Sequence, residues 1–199
     1  MSKLSVLTQG FEAVIFDFDG TVVDTGEGIL KSLQYSFKEM GSEVPDLDDL
    51  KKFIGPPIYY SYTTFYGVSE EDVGMYITKY RERYKVKGIY ECELYDGMVE
   101  LLDALKAKGI KLGIASSKPQ HLIYSVADYL KITDKFDAIV VVKIDDSNHS
   151  SKTQLVLDAM AEMGATDKSK VLMVGDRLFD IDGAAGAGVD SCGAIWGYG

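Results

Sequence analysis

Residues 15–25 read Ile-Phe-Asp-Phe-Asp-Gly-Thr-Val-Val-Asp-Thr. An apolar run, Ala13-Val14-Ile15-Phe16, stops at Asp17 and Asp19, and Gly20-Thr21 follow at once. Strand-type burial that runs into two acids costs free energy unless the charge is offset. A bound cation is the usual compensation. Residues i and i+2 of a strand face the same way, so both carboxylates can serve one site. Three further segments carry chemistry-bearing residues in similar settings. One apolar run ends in Ser116-Ser117-Lys118-Pro119, another in Gly175-Asp176-Arg177-Leu178-Phe179-Asp180, and Lys152 opens a helical pattern. His121 and His149 are the only histidines. A His-rich metal site is therefore excluded, and any metal is expected to be a hard ion bound through oxygen.

The elements that must position these residues alternate in type. Five β-type runs stand out: Ala13–Phe18, Lys111–Ser116, Ala138–Val142, Lys170–Val174 and Val189–Ile195. Most are continuous apolar runs, as in strands buried on both faces of a parallel sheet. Helical patterns lie at about 97–108, 119–130, 151–163 and 178–187. This alternation predicts an α/β fold with a Rossmann-like, doubly wound parallel sheet, whose function gathers at the carboxyl ends of strands. The first connection is the exception. A crossover needs only a dozen or so residues, yet the stretch from Asp24 to Tyr95 is far longer and mostly helical in pattern, with breakers at Gly41, Pro45, Gly55-Pro56-Pro57, Gly67 and Gly88. It reads as an inserted α-helical cap over 24–95, with the core formed by 1–23 and 96–199.

Composition narrows the function. The chain has 199 residues, 46% of them hydrophobic, and 21 basic against 31 acidic residues give a net charge of −10. A phosphate-backbone binder needs a basic excess, so nucleic acid is not an expected partner. Cys92 and Cys192 are unclustered, Met1–Gly10 lacks an apolar signal core, and no apolar run approaches the length that spans a bilayer. These features predict a cytoplasmic protein without membrane contact; a monomer or homodimer is expected, though no residue pattern chooses between them.

Taken together, Asp17-Phe-Asp19-Gly20-Thr21, the hydroxyl of Ser116, Lys152 and Gly175-Asp176-x-x-x-Asp180 resemble the four ordered motifs of the haloacid dehalogenase-like hydrolase superfamily. The insert between the first and second motifs resembles its helical-cap subclass. Gly55-Pro56-Pro57-Ile58 and Gly-Asp-Arg-x-x-Asp-Ile resemble the branch of phosphoglycolate phosphatases and 5′-nucleotidase-like phosphatases. The resemblance implies a phosphatase acting on a small phosphorylated metabolite. Asp17 would attack phosphorus and form an aspartyl-phosphate. Asp19 would protonate the leaving oxygen and then deprotonate water. Mg²⁺ would bind the Asp17 carboxylate, the Asp19 carbonyl, Asp176 and, directly or through water, Asp180. Ser116, Ser117 and Lys152 would hold phosphoryl oxygens. The resemblance also implies a further helix and short strand after Trp196-Gly-Tyr-Gly199.

Each residue also has a plainer reading. Asp17 alone could be a strand-end turn, Ser116 a hydroxyl satisfying backbone, and Asp180 a cap for the helix near Leu178. Lys152 alone could be solvated, but a cation in a first helical turn opposes the helix dipole unless an anion binds there. Lys118 and Lys143 are the fallback cations, since Val140–Asp146 is bulkier than the third motif of the family. Asp24 and Asp182 read as solvated or capping. Ten of the 13 tyrosines fall in the insert, with Tyr76, Tyr80 and Tyr84 on one helical face. Either they form its core or they stack on a substrate ring. Lys51, Lys52, Arg81 and Arg83 are candidate anion contacts, and Gly26, Gly28 and Gly97 candidate hinges.

Alternatives on the same fold are a phosphosugar mutase, a phosphonate hydrolase that would need a lysine such as Lys31, Lys51 or Lys52, and a catalytically silent binding domain. A dehalogenase is disfavoured by the acid at Asp19.

Overall fold

The computed structural model describes residues 10–141 and 151–199. Lys143, like the rest of Val142–Ser150, lies outside the described residues. Five parallel strands form the main sheet: β1 (Ala13–Phe16), β4 (Lys111–Ser116), β5 (Ala138–Val141), β6 (Val171–Gly175) and β7 (Asp190–Gly193). Their spatial order is β5-β4-β1-β6-β7, which puts the first strand at the centre and reverses the winding beside it. β1 is fully buried because it pairs on both edges, Ala13 aligning with Lys111 and with Val171.

Alternate residues of β1 feed two cores, as the pleat requires. Val14 and Phe16 pack with Leu102 and Leu105 of α5 (Met98–Ala107) and Ile123 and Val126 of α6 (Gln120–Tyr129). Ala13 and Ile15 pack on the opposite face with Val156 and Ala159 of α7 (Lys152–Met163) and Ala184 and Ala187 of α8 (Leu178–Ala187). Each large aliphatic or aromatic side chain buried this way contributes about 1.5–3 kcal/mol.

Two strands differ most from the sequence expectation, and β6 is shifted by one residue from Lys170–Val174. β1 ends at Phe16 rather than Phe18. Asp17 still donates its N–H to Val174 O, but the Phe18 carbonyl then accepts from Thr21, Val22 and Val23 and turns the chain. The two acids therefore stand in a loop and aim apart. β7 is shorter than Val189–Ile195 and exposed throughout, unlike the other edge strand, β5.

A two-stranded antiparallel ribbon, β2 (Val23–Asp24) with β3 (Glu93–Leu94), brings the ends of the long first connection together. Between them run α1 (Gly26–Glu39), α2 (Leu47–Leu50), α3 (Ile58–Tyr60, continuing as a wider turn over Ser61–Phe65) and α4 (Val73–Tyr84). Asp24 caps α1 through the Gly26 N–H at 2.9 Å. Rings of Phe37, Phe53, Tyr62, Tyr66 and Tyr76 meet at centroid distances of 5.0–5.7 Å. Tyr62 is fully buried, and its hydroxyl meets Ser36 Oγ at 2.5 Å. Tyr76, Tyr80 and Tyr84 are all buried in the core of this segment. Gly28 has a packing reason: a Cβ there would lie 2.0 Å from Gly88 O.

Candidate functional site

The site forms where β1, β4 and β6 end and α7 and α8 begin. Asp17, Asp176 and Asp180 are buried, and one oxygen from each lies within 4.8 Å of the others. Lys152, at the first position of α7, reaches between them. Its Nζ donates to Asp17 Oδ1 at 2.7 Å and to Ala115 O at 3.0 Å, and lies 2.7 Å from Asp180 Oδ1. That last contact is an ion pair between buried groups, off line for a well-aligned hydrogen bond. Asp180 Oδ2 accepts the Arg177 N–H at 3.0 Å and so caps α8 as well.

The electrostatics follow from burial. Desolvation pushes the Asp17 carboxyl up to about 7; Lys152 opposes this, and Asp180 adds to it. Burial alone would lower Lys152, but Asp17 and Asp180 outweigh it and raise the ammonium above its ordinary value. Burial also raises Asp176, against the Tyr198 N–H and Arg177 that favour its charged form. Asp176 is held on both oxygens, by Thr21 Oγ1 at 3.3 Å and by the Tyr198 N–H at 2.7 Å. Such outer partners fix the orientation of a ligating carboxylate.

An all-oxygen set of three buried carboxylates fits a hard divalent cation. Gly20 is required beside it. Its φ is +87° and an added Cβ would sit 2.6 Å from Asp176 Oδ2. Gly41 has a similar φ of +69° but open space around it. The left-handed backbone costs a non-glycine residue about 1–2 kcal/mol. Gly20→Ala is therefore expected to lower the melting temperature by several degrees and to weaken divalent-cation binding, whereas Gly41→Ala loses only the backbone part. Thermal unfolding with and without Mg²⁺ checks both; equal Mg²⁺ response in the two variants would remove the role given to Gly20.

Asp19 stands apart from this cluster. Its Oδ1 accepts from Thr25 Oγ1 at 2.6 Å and from Lys118 Nζ at 2.8 Å. Lys118 also reaches Asp19 Oδ2 at 3.1 Å and the Tyr84 hydroxyl at 2.8 Å. Ser116 is buried, and its Oγ accepts the Lys118 N–H at 3.3 Å. Ser117 turns the other way and donates to Gly55 O at 3.0 Å. Arg177 Nη2 donates to Lys51 O at 2.9 Å, so the loop from Lys51 to Pro57 rests on both β4 and β6 ends. Thr25 and Tyr198 were not legible as site residues. Tyr84 was legible only as part of a helical face, Arg177 only as part of Gly-Asp-Arg-x-x-Asp-Ile, and Lys118 only as a fallback cation two positions after Ser116.

A doubly wound sheet with carboxylates and a lysine gathered at its strand ends defines an α/β protein able to present a nucleophilic oxygen beside a cation. Residues 14–194 match the haloacid dehalogenase-like hydrolase family, and the chain belongs to it. A 5′-nucleotidase of Pseudomonas aeruginosa is 36% identical over 94% of this chain and 83% of its own length. A protein of Mycobacterium tuberculosis described as tyrosine-protein kinase PtkA is 33% identical over 94% of this chain, which spans 63% of that relative. Among solved structures, a predicted phosphatase from Clostridium acetobutylicum superposes with a TM-score of 0.88 at 36% identity, covering 95% of this chain and 87% of that one. Among the described residues no helix is long and apolar enough to cross a membrane.

Proposed function

We propose that the chain is a Mg²⁺-dependent phosphatase that hydrolyses small phosphomonoesters, of the phosphoglycolate or nucleoside 5′-monophosphate type, through a phosphoryl group carried on Asp17. The observation that carries this reading is Asp17 itself: a buried carboxylate 2.7 Å from the Lys152 ammonium and grouped with Asp176 and Asp180. Asp17 offers the attacking oxygen, and Lys152 fixes its direction. Asp17, Asp176 and Asp180 would hold the cation, which when bound offsets the repulsion between a carboxylate and a phosphate dianion. Asp19, whose carboxylate accepts from Lys118 and Thr25, would take up a proton, give it to the leaving oxygen and then take one from water. Ser116 and the adjacent backbone N–H groups offer donors for the phosphoryl oxygens.

The helical segment 24–95 acts in this reading as a cap, closing over the strand ends through Gly55, Lys51 and Tyr84. Mg²⁺-dependent phosphate release from phosphoglycolate, nucleoside monophosphates, sugar phosphates or pyrophosphate, lost in EDTA, is the expected result. Transfer of the phosphoryl group to a second sugar phosphate, with no free phosphate, would instead favour the mutase. Silence across the panel, in folded protein, would favour a binding domain.

A further inference from the structure

Between the helical segment and the core lies a cavity of about 100 Å³ that reaches Asp19. Phe53, Pro56 and Leu33 give it an apolar wall, while Arg81, Tyr84 and Lys118 give it a polar end.

The polar end has donors without acceptors. Lysine only donates, so the Tyr84 hydroxyl must be the acceptor in its 2.8 Å bond to Lys118. The phenol hydrogen is left over. Tyr84 is 1% exposed, and no described residue accepts that hydrogen. A buried hydroxyl in this state costs free energy until an acceptor arrives. Arg81 stands at the mouth of the same cavity. Three other cations of the segment are already engaged: Arg83 with both oxygens of Glu91, Lys51 with Asp48, and Lys52 over the Tyr66 ring. Arg81 has no ion pair among the described residues. Within the cavity Asp19 balances Lys118, so the charge of Arg81 is uncompensated.

We infer that Arg81 and Tyr84, the latter oriented by Lys118, form a subsite for a second anionic group, a carboxylate or a phosphate, on a short leaving group. The inference rests on the phosphatase reading and narrows it. The substrate is a small phosphomonoester or phosphoanhydride with a second negative charge within reach of the first. A neutral nucleoside offers no charge to Arg81. Tyr80 is buried and stacks one face on Tyr84 at 5.2 Å and 13°.

The test compares kcat/KM for 2-phosphoglycolate, pyrophosphate, ethyl phosphate, AMP and p-nitrophenyl phosphate in wild type, Arg81→Gln and Tyr84→Phe. Either phosphoglycolate (a carboxylate reader) or pyrophosphate (a phosphate reader) is expected to exceed ethyl phosphate by about 10-fold or more, as a charge-assisted hydrogen bond allows. Each variant is expected to reduce that ratio by about 5-fold or more, mainly through KM; Arg81→Gln has the smaller effect at high salt because Arg81 is exposed and screened. A merely structural role would lower both substrates together and leave the ratio alone. Ethyl phosphate or AMP as the best substrate, or an unchanged ratio in both variants, would overturn the inference while leaving the phosphatase reading in place. No Mg²⁺-dependent release from any compound, p-nitrophenyl phosphate included, would overturn both.

Discussion

Asp17→Asn is expected to lower kcat for phosphate release by about 10⁴-fold or more, as removal of a nucleophile does. The amide keeps the shape of the side chain but has no anionic oxygen to attack phosphorus. The fold is expected to survive. Lys152 keeps Asp180 as a counter-charge at 2.7 Å and Ala115 O as an acceptor. Burial already pushes the Asp17 carboxyl up to about 7, so a neutral group is well tolerated there. The melting temperature without divalent cation is therefore expected to stay within a few degrees of wild type. Activity and thermal unfolding on the same preparation separate the two effects. Turnover within 10-fold of wild type would remove Asp17 from the role assigned to it.

Lys152→Met has the second-largest expected effect, and it appears in stability as well as rate. The ammonium stands between Asp17 and Asp180, whose side chains are 5% and 1% exposed. Methionine removes the positive charge they share, and Asp17, already pushed up to about 7 by burial, is driven further toward its protonated form. Breaking a buried ion pair from one side costs about 3–5 kcal/mol. For a chain of this size that is on the order of 10 °C in melting temperature. A divalent cation replaces the missing positive charge, so Mg²⁺ is expected to stabilise Lys152→Met more than it stabilises wild type. The rate is expected to fall by about 10²–10³-fold, the usual loss for one group that stabilises developing charge. Thermal unfolding in EDTA and in Mg²⁺ reads the stability part without reference to activity. A variant as stable as wild type in EDTA would show that the Asp17–Lys152–Asp180 cluster does not balance charge as described.

The sheet was legible because its strands are apolar on both faces, and runs such as Ala13–Phe16 and Lys111–Ser116 carry that signal unmixed. The edge strand was less so. Asp190–Gly193 is exposed, and apolar neighbours on either side blurred its ends. Asp17, Asp176, Asp180 and Lys152 were legible for one reason: acids and a lysine at strand ends and a helix start are costly unless they meet. The structure brings those four together. The separation of Asp19 from them was hidden, because it depends on the turn that Phe18 O makes with three successive N–H groups. Ser117 and Lys118 show the same limit. Adjacent in sequence, they point to opposite partners, Gly55 O and Asp19, and only the folded loop decides which does what. The tyrosines at 76, 80 and 84 were legible as one helical face, but not the spare hydrogen on Tyr84, which exists only because Lys118 is its neighbour in space.

The most direct test is to trap the phosphoryl group. Asp19→Asn removes the base that activates water, while p-nitrophenyl phosphate needs no acid to leave. With Mg²⁺ this pair is expected to give a burst of one equivalent of p-nitrophenol, followed by slow turnover. Mass spectrometry after acid quenching is expected to place one phosphoryl group on Asp17, and none there when Asp17→Asn is added. A phosphoryl group on another residue, or sustained turnover with the peptide holding Asp17 unmodified, would contradict the account.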